Sequence, residues 1–157
     1  MPGVVSGLLG ASLGESIRNV ERLVQNWMDG STRFNRRGEA LLVAASAGDV
    51  VGVGGLLRCR DVQGALRVSR FYVDPEHRRL SVASALAAEL LRRCVGCVEL
   101  VTCNAQASPS ARQFWESVGF KPVEHAGITH TWRALDVPNV VSTEGRDTNV
   151  YRFSLEA

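Results

Sequence analysis

The run from residue 65 to residue 94 constrains this chain more than any other. Residues 65–73 are rich in β-forming residues and end at Asp74-Pro75, and an apolar helical pattern starts at Val82. Val82, Leu86 and Leu90 share one helical row, and Ala83, Ala87, Leu91 and Cys94 share the next. A strand, a sharp reversal and a helix in that order leave the first-turn N–H groups of the helix without intrahelical partners. These donors converge at the positive end of the helix dipole, which makes a cradle for an anion. Arg78 and Arg79 stand beside it. Residues 98–102 form the next apolar run. With a helix crossing between them, the strands at 65–73 and 98–102 are predicted to lie parallel.

Other elements follow the same logic. Residues 40–45 and 50–57 read as strands joined by the Ala47-Gly48-Asp49 turn, and with 65–73 they form an antiparallel meander. Ser108 and Pro109 suit the N-cap and first position of a helix over 108–118, which Gly119 ends before a strand over 120–124. A polar stretch, 138–149, precedes a last strand at 150–155. At the other end, residues 1–14 are apolar and Gly-rich and read as a short strand or an ordered tail. Ser12 and Glu15 have capping-box spacing ahead of a helix that carries Ile17, Val20, Val24, Trp27 and Met28 and stops at Gly30. The expected fold class is therefore mixed α/β (α+β), a mostly antiparallel sheet flanked by helices. Residues 1–157 are expected to make one domain.

A net charge of +2 gives no reason to expect nucleic acid or a membrane surface as partner. No segment is long and apolar enough to span a bilayer, and the apolar start lacks the basic residues of a signal peptide. Cys94-x-x-Cys97 spans a helix end and a strand start, and Cys59 and Cys103 lack ligand spacing, so four reduced thiols and no metal are expected. Reduced thiols fit a cytoplasmic protein.

Two motifs resemble the GNAT family of acyl-CoA-dependent N-acetyltransferases. That family carries Arg or Gln, two residues, Gly, one residue, then Gly or Ala; here the run is Arg78-Arg79-Leu80-Ser81-Val82-Ala83, with Ser81 in place of Gly. Many members also carry Asn-x-x-Ala-x-x-Phe-Tyr-x-x-x-Gly-Phe. The matching run begins at Ser108 and keeps Ala111, Phe114, Gly119 and Phe120, with Trp115 in place of Tyr. The resemblance covers about residues 40–124 and implies a GNAT-like sheet whose parallel strands splay apart to hold acetyl-CoA. It implies that the cradle, Arg78 to Ala83, binds the pyrophosphate, and that the pantetheine arm pairs with backbone near Phe71, Tyr72 and Val73. Ser110, Phe114 and Trp115 would flank the arm. Ser81 fits the cradle only with ordinary backbone angles, because Gly alone adopts unusual ones freely.

The implied reaction is direct acetyl transfer to an amine of a small molecule or peptide. It asks for deprotonation of the amine, a donor for the oxyanion and a proton for the thiolate. Val73 N–H or a neighbour can serve the oxyanion. Trp115 cannot supply the proton that Tyr gives in many relatives. Tyr72 and Ser110 are the remaining candidates, although alternation can turn Tyr72 into the core. No carboxylate lies on 66–70, which leaves Glu39, Glu124, His125 and His130 as bases only if the fold brings them in. Arg33, Arg36 and Arg37 hint at an anionic acceptor. The Ser81 and Trp115 departures also motivate an alternative, a non-catalytic acyl-CoA-binding module. Homodimers through sheet edges are common among the proteins it resembles.

Overall fold

The computed structural model describes residues 1–78, 81–134 and 148–153. Helices α1 (Ser6–Gly14) and α2 (Asn19–Met28) precede strands β1 (Ala40–Ser46), β2 (Asp49–Arg58) and β3 (Leu66–Val73). A 3-10 turn, Pro75–His77, leads towards α3 (Val82–Cys94), β4 (Leu100–Cys103) and α4 (Pro109–Ser117). The chain continues through β5 (Lys121–His125), β6 (Ile128–Arg133) and β7 (Thr148–Arg152). All seven strands join one sheet in the order β5-β6-β4-β3-β2-β1-β7. Every described pairing is antiparallel except β3 with β4, as the crossover by α3 requires.

The sheet is covered on both faces. On one, Leu66, Val68 and Val101 pack with Leu86, Leu90 and Leu91 of α3, Trp115 of α4 and Trp132. On the other, Val43, Val53 and Tyr72 pack with Val5 and Leu8 of the N-terminal segment and Val20, Leu23 and Trp27 of α2. The glycines of β2 make both layers fit. A Cβ at Gly54 would lie 2.9 Å from Phe71, and one at Gly55 would collide with Phe34 from the opposite face.

The N-terminus folds differently from what its apolar, Gly-rich sequence predicts. Residues 6–14 form a helix, not a strand or tail, and its buried face is Val5, Leu8 and Ser12 at helical spacing. The capping box does not form. Ser12 lies inside α1 and its hydroxyl donates to Leu9 O at 3.0 Å, while Glu15 follows the helix end. Ser16, at φ 60°, breaks the chain before α2, whose buried stripe is Val20, Leu23 and Trp27, with Met28 exposed. Strand β6 had no counterpart in the sequence reading. The last strand, expected at 150–155, pairs with β1 over 148–152; residues 154 and 155 lie outside the described residues, as does most of the 138–149 stretch.

Two irregularities of β3 shape the site. First, β3 and β4 pair only at Leu66↔Val101 and Arg67↔Thr102, so among the described residues the β4-facing edge of β3 has no strand partner from Val68 onward. Second, the β2–β3 register runs Val53↔Tyr72 and then Gly55↔Ser69, which leaves two residues of β3, Arg70 and Phe71, between these pairs against one of β2, Gly54. This is a β-bulge, and Arg70 adopts φ 59° within it. Leu66 and Val68 face α3. Without the bulge, strict alternation would send Arg70 to that same apolar face. The extra residue instead turns Phe71 and Val73 towards α3 and brings Arg70 to α2, where its guanidinium donates to Asn26 Oδ1 at 2.9 Å.

Candidate functional site

The open edge of β3 and the start of α3 lie at the same end of the sheet. Asp74 N–H donates to Val51 O at 2.9 Å, so the alternation of an antiparallel ladder turns Val73 N–H to the free edge. The first bond of α3 runs from Ala85 N–H to Ser81 O at 2.9 Å, which leaves the amides of Val82, Ala83 and Ser84 without intrahelical acceptors. The Ser81 side chain does not cap them. Val82 anchors this turn by packing on Ala44, Val51 and Val73. Ser81 takes φ 65° and ψ 11°, the left-handed region, so it does not have the ordinary angles expected of it. The residue stands in a glycine conformation at the glycine position of the motif. Arg79 and Leu80 lie outside the described residues.

The aromatic residues expected beside the arm come together. Phe71 contacts Phe114 at 5.7 Å and Trp115 at 4.8 Å between ring centroids, and Trp115 reaches Phe120 at 5.2 Å. Trp115 is buried and Phe114 half-buried. Ser108 caps α4 through Ala111 N–H at 3.1 Å, and the exposed Ser110 hydroxyl shares a 2.9 Å hydrogen bond with Ser108.

Arg78 and Tyr72 are placed differently. Both belong to a network centred on Glu15, a residue the sequence reading gave another role. The Arg78 guanidinium forks onto both Glu15 oxygens at 2.7 Å, and its Nε donates to Val73 O at 3.2 Å. Tyr72 lies under α1 and α2, donates to Glu15 at 2.7 Å and sits 5.6 Å beneath the Arg78 cation. Hydrogen bonds from Arg78 and then Tyr72 hold the Glu15 carboxyl below its usual range. Burial, then the Glu15 hydrogen bond, pushes the Tyr72 phenol up. Arg78 therefore brings to the cradle an already neutralised pair.

The four base candidates do not converge on the splay. Glu39 accepts from the backbone N–H groups of Arg36 and Arg58, both at 3.3 Å, at the far end of β1. Glu124 and His125 are exposed on the edge strand β5. His130 is fully buried, with Nε2 2.9 Å from Glu116 and Nδ1 2.7 Å from Thr129. Grooves of about 420 and 390 Å³ lie elsewhere, the first beside residues 62–65 and 97–100 and the second beside Arg36, Arg37, Arg93 and Arg152. Neither includes a cradle residue. The four thiols are free, with Cys97 alone exposed. Among the described residues no helix is long and apolar enough to cross a membrane, and no metal-binding cluster of His, Cys, Asp or Glu occurs.

Comparison with known proteins agrees with this arrangement. An acetyltransferase (GNAT) domain model matches residues 15–135. A structure from Exiguobacterium sp. 255-15, assigned as an acetyltransferase, superposes with a TM-score of 0.75 at 26% identity, covering 83% of this chain and 85% of that one. YncA of Salmonella typhimurium, solved with its cofactor acetyl-CoA, shares the fold at a TM-score of 0.56 and 16% identity, covering 73% and 72%. Human N-acetyltransferase 8 is 34% identical over 93 residues; the match spans 56% of this chain and 41% of that protein, less than half its length. With the open edge of β3, the uncapped start of α3 and a family model spanning most of the sequence, the chain belongs to the GNAT acetyltransferase family.

Proposed function

We propose that the protein transfers an acetyl group from acetyl-CoA directly to an amine. The observation that carries this reading is the coincidence, at one end of the sheet, of the open β3 edge with the free amides of Val82, Ala83 and Ser84. Those amides and the helix dipole suit a diphosphate. The β3 edge offers an extended arm a strand to pair with. Val73 N–H, directed to that edge, is the donor for the carbonyl oxygen as it gains charge. In the transfer, the amine nitrogen bonds to the acetyl carbon, the carbon–sulfur bond breaks, and CoA leaves as thiolate while the amine proton passes to solvent.

Phe71, Phe114 and Trp115 form the apolar wall of the arm site. The described residues place no general base at the edge, so the amine arrives neutral or loses its proton to water. An ammonium of pKa ~10.4 makes that a real demand at neutral pH. The acyl-transfer chemistry of the family, and YncA with its bound acetyl-CoA, support the donor.

The test is calorimetric titration with acetyl-CoA together with thermal denaturation. A ligand that binds only the folded state raises its stability by about 2.7 kcal/mol at a hundred times its Kd. The expected results are saturable heat and a raised Tm. Absence of both at millimolar acetyl-CoA rejects the proposal. Saturable binding without product from a broad amine panel would favour the non-catalytic reading.

A further inference from the structure

Building on the proposed acetyl transfer, we infer that the acceptor amine carries an anionic group, a carboxylate or phosphate, received by Arg70 with Arg22 and Arg67 on the α2 side of β3. The bulge moves a cation off the apolar face to which alternation would have sent it, and holds it in a backbone region that only glycine adopts freely. That cation is poorly compensated. Arg70 is half-buried, its Nε is inaccessible to solvent and has no hydrogen-bond partner, and its guanidinium is held by a neutral amide, Asn26. Burial and then the like charges of Arg22 and Arg67 lower its pKa. Among the described residues the carboxylate nearest this trio is Asp61, 3.9 Å from Arg67. Glu15 is committed to Arg78, and Glu21 to Arg18. Buried guanidinium groups are normally paired, and a planar guanidinium whose Nη1 no described residue claims fits a carboxylate or phosphate.

The surroundings favour a ligand over a structural charge. Asn19, Arg22 and Asn26 recur at i, i+3 and i+7, so they form one polar stripe of α2 that faces β3. Two of the three touch β3: Asn26 holds Arg70, and Asn19 Nδ2 donates to Phe71 O at 3.0 Å. The stripe therefore reaches the open edge where the acetyl carbon is proposed to react. The aromatic wall lies on the opposite face of β3, so the two faces divide the work, one apolar for the donor and one cationic for the acceptor. The 33–37 arginines belong elsewhere. Arg33 lies 5.2 Å over the Trp27 ring, and Arg36 and Arg37 line the separate groove with Arg93 and Arg152.

The experiment measures kcat/KM with acetyl-CoA for matched amines. One arm compares α-amino acids with their carboxamides, and the other compares phosphoethanolamine with ethanolamine. Wild type should prefer an anionic member of one pair by at least ~10-fold, and the preferred pair identifies the anion. Arg70→Gln should abolish that preference by slowing the anionic member alone, with acetyl-CoA affinity unchanged and Tm unchanged or raised. Arg22→Gln, at an exposed position, should reduce the preference without touching the fold, and decides the matter if Arg70→Gln does not fold. Acetyl-CoA binding with equal use of both members, with no use of the anionic ones, or with a preference that survives these variants overturns the inference and leaves the proposed function standing. Failure of wild type to bind acetyl-CoA overturns both.

Discussion

Replacing Ser81 by glycine tests the cradle at its point of departure from the family pattern. Ser81 sits at φ 65°, its side chain is exposed, and it makes no capping hydrogen bond, so the substitution removes strain without removing a contact. A non-glycine residue in the left-handed region costs roughly 1–2 kcal/mol. Glycine returns roughly 0.5–1 kcal/mol of that through the greater freedom of its unfolded chain. The net is a stabilisation of about 0.5–1 kcal/mol. For a chain of this length 1 kcal/mol moves Tm by about 2–4 °C, so Ser81→Gly should melt about 1–4 °C above wild type. Acetyl-CoA should bind it as tightly or more tightly, since glycine lets a phosphate approach the backbone. Ser81→Ala keeps the strain and should match wild type in both respects. Thermal denaturation with and without acetyl-CoA reads all of this. A Ser81→Gly protein that melts below wild type, or an alanine variant that weakens acetyl-CoA binding tenfold, would show that the hydroxyl has a role the geometry denies it.

Three further outcomes are expected. Glu15→Gln breaks the fork to Arg78, and because the Arg78 side chain is 42% exposed the loss should be only about 1 kcal/mol. Arg78 and Tyr72 depress the folded pKa of Glu15, so the gap between wild type and variant should be full above pH 4.5 and vanish as pH falls through the lowered value, read from denaturation at several pH values. Trp115→Phe should retain turnover within a few-fold while costing about 1–3 kcal/mol of packing, measured by steady-state kinetics and denaturation; loss of turnover by orders of magnitude would assign the indole a chemical role. A thiol reagent should modify Cys97 rapidly in the native protein and the other three cysteines only on unfolding, since burial pushes Cys94 and Cys103 up to about 12 and Cys59 is also enclosed.

The β3–α3–β4 unit was legible because its signals are local. Pro75 stops the strand, the rows of Val82 and Ala83 repeat at helical spacing, and Ser108 with Pro109 starts α4 where expected. What stayed hidden depends on partners far along the chain. Four glycines masked the Val5–Leu8–Ser12 face of α1, whose burial comes from α2 and β3. Strand β6 alternates Ile128, His130 and Trp132 inward, and a histidine spoils the apolar period until Glu116 and Thr129 are known to satisfy it. Glu15 and Arg78 are 63 residues apart, and neither carries any local sign of the other. The bulge did leave a trace. Arg70 follows Leu66 and Val68 at spacing two, and a charge at an inward position calls either for a partner in the core or for one extra residue in the strand.

The missing proton donor leads to a pH profile. The chain has two tyrosines. Tyr72 is under α1 and α2 with its hydroxyl on Glu15, and Tyr151 lies on β7, beyond β1 and β2 from the splay. Neither phenol lies at the splay of β3 and β4, where Trp115 is packed against Phe71 and Phe120. A thiol titrates near ~8.5, so CoA can leave as thiolate at neutral pH without a general acid, at a cost of about 2 kcal/mol relative to leaving as thiol. An enzyme that depends on a protonated group loses rate once that group deprotonates, and its profile is a bell. Here kcat with a saturating amine should instead rise with the neutral fraction of the amine and level off, with no descending limb before the protein unfolds. The measurement is kcat between pH 6 and about 10 by release of CoA thiol. A descending limb at a pH where the fold and acetyl-CoA binding are intact would mean that an acid does reach the sulfur, and the division of β3 into an apolar donor face and a cationic acceptor face would have to admit a polar group on the first.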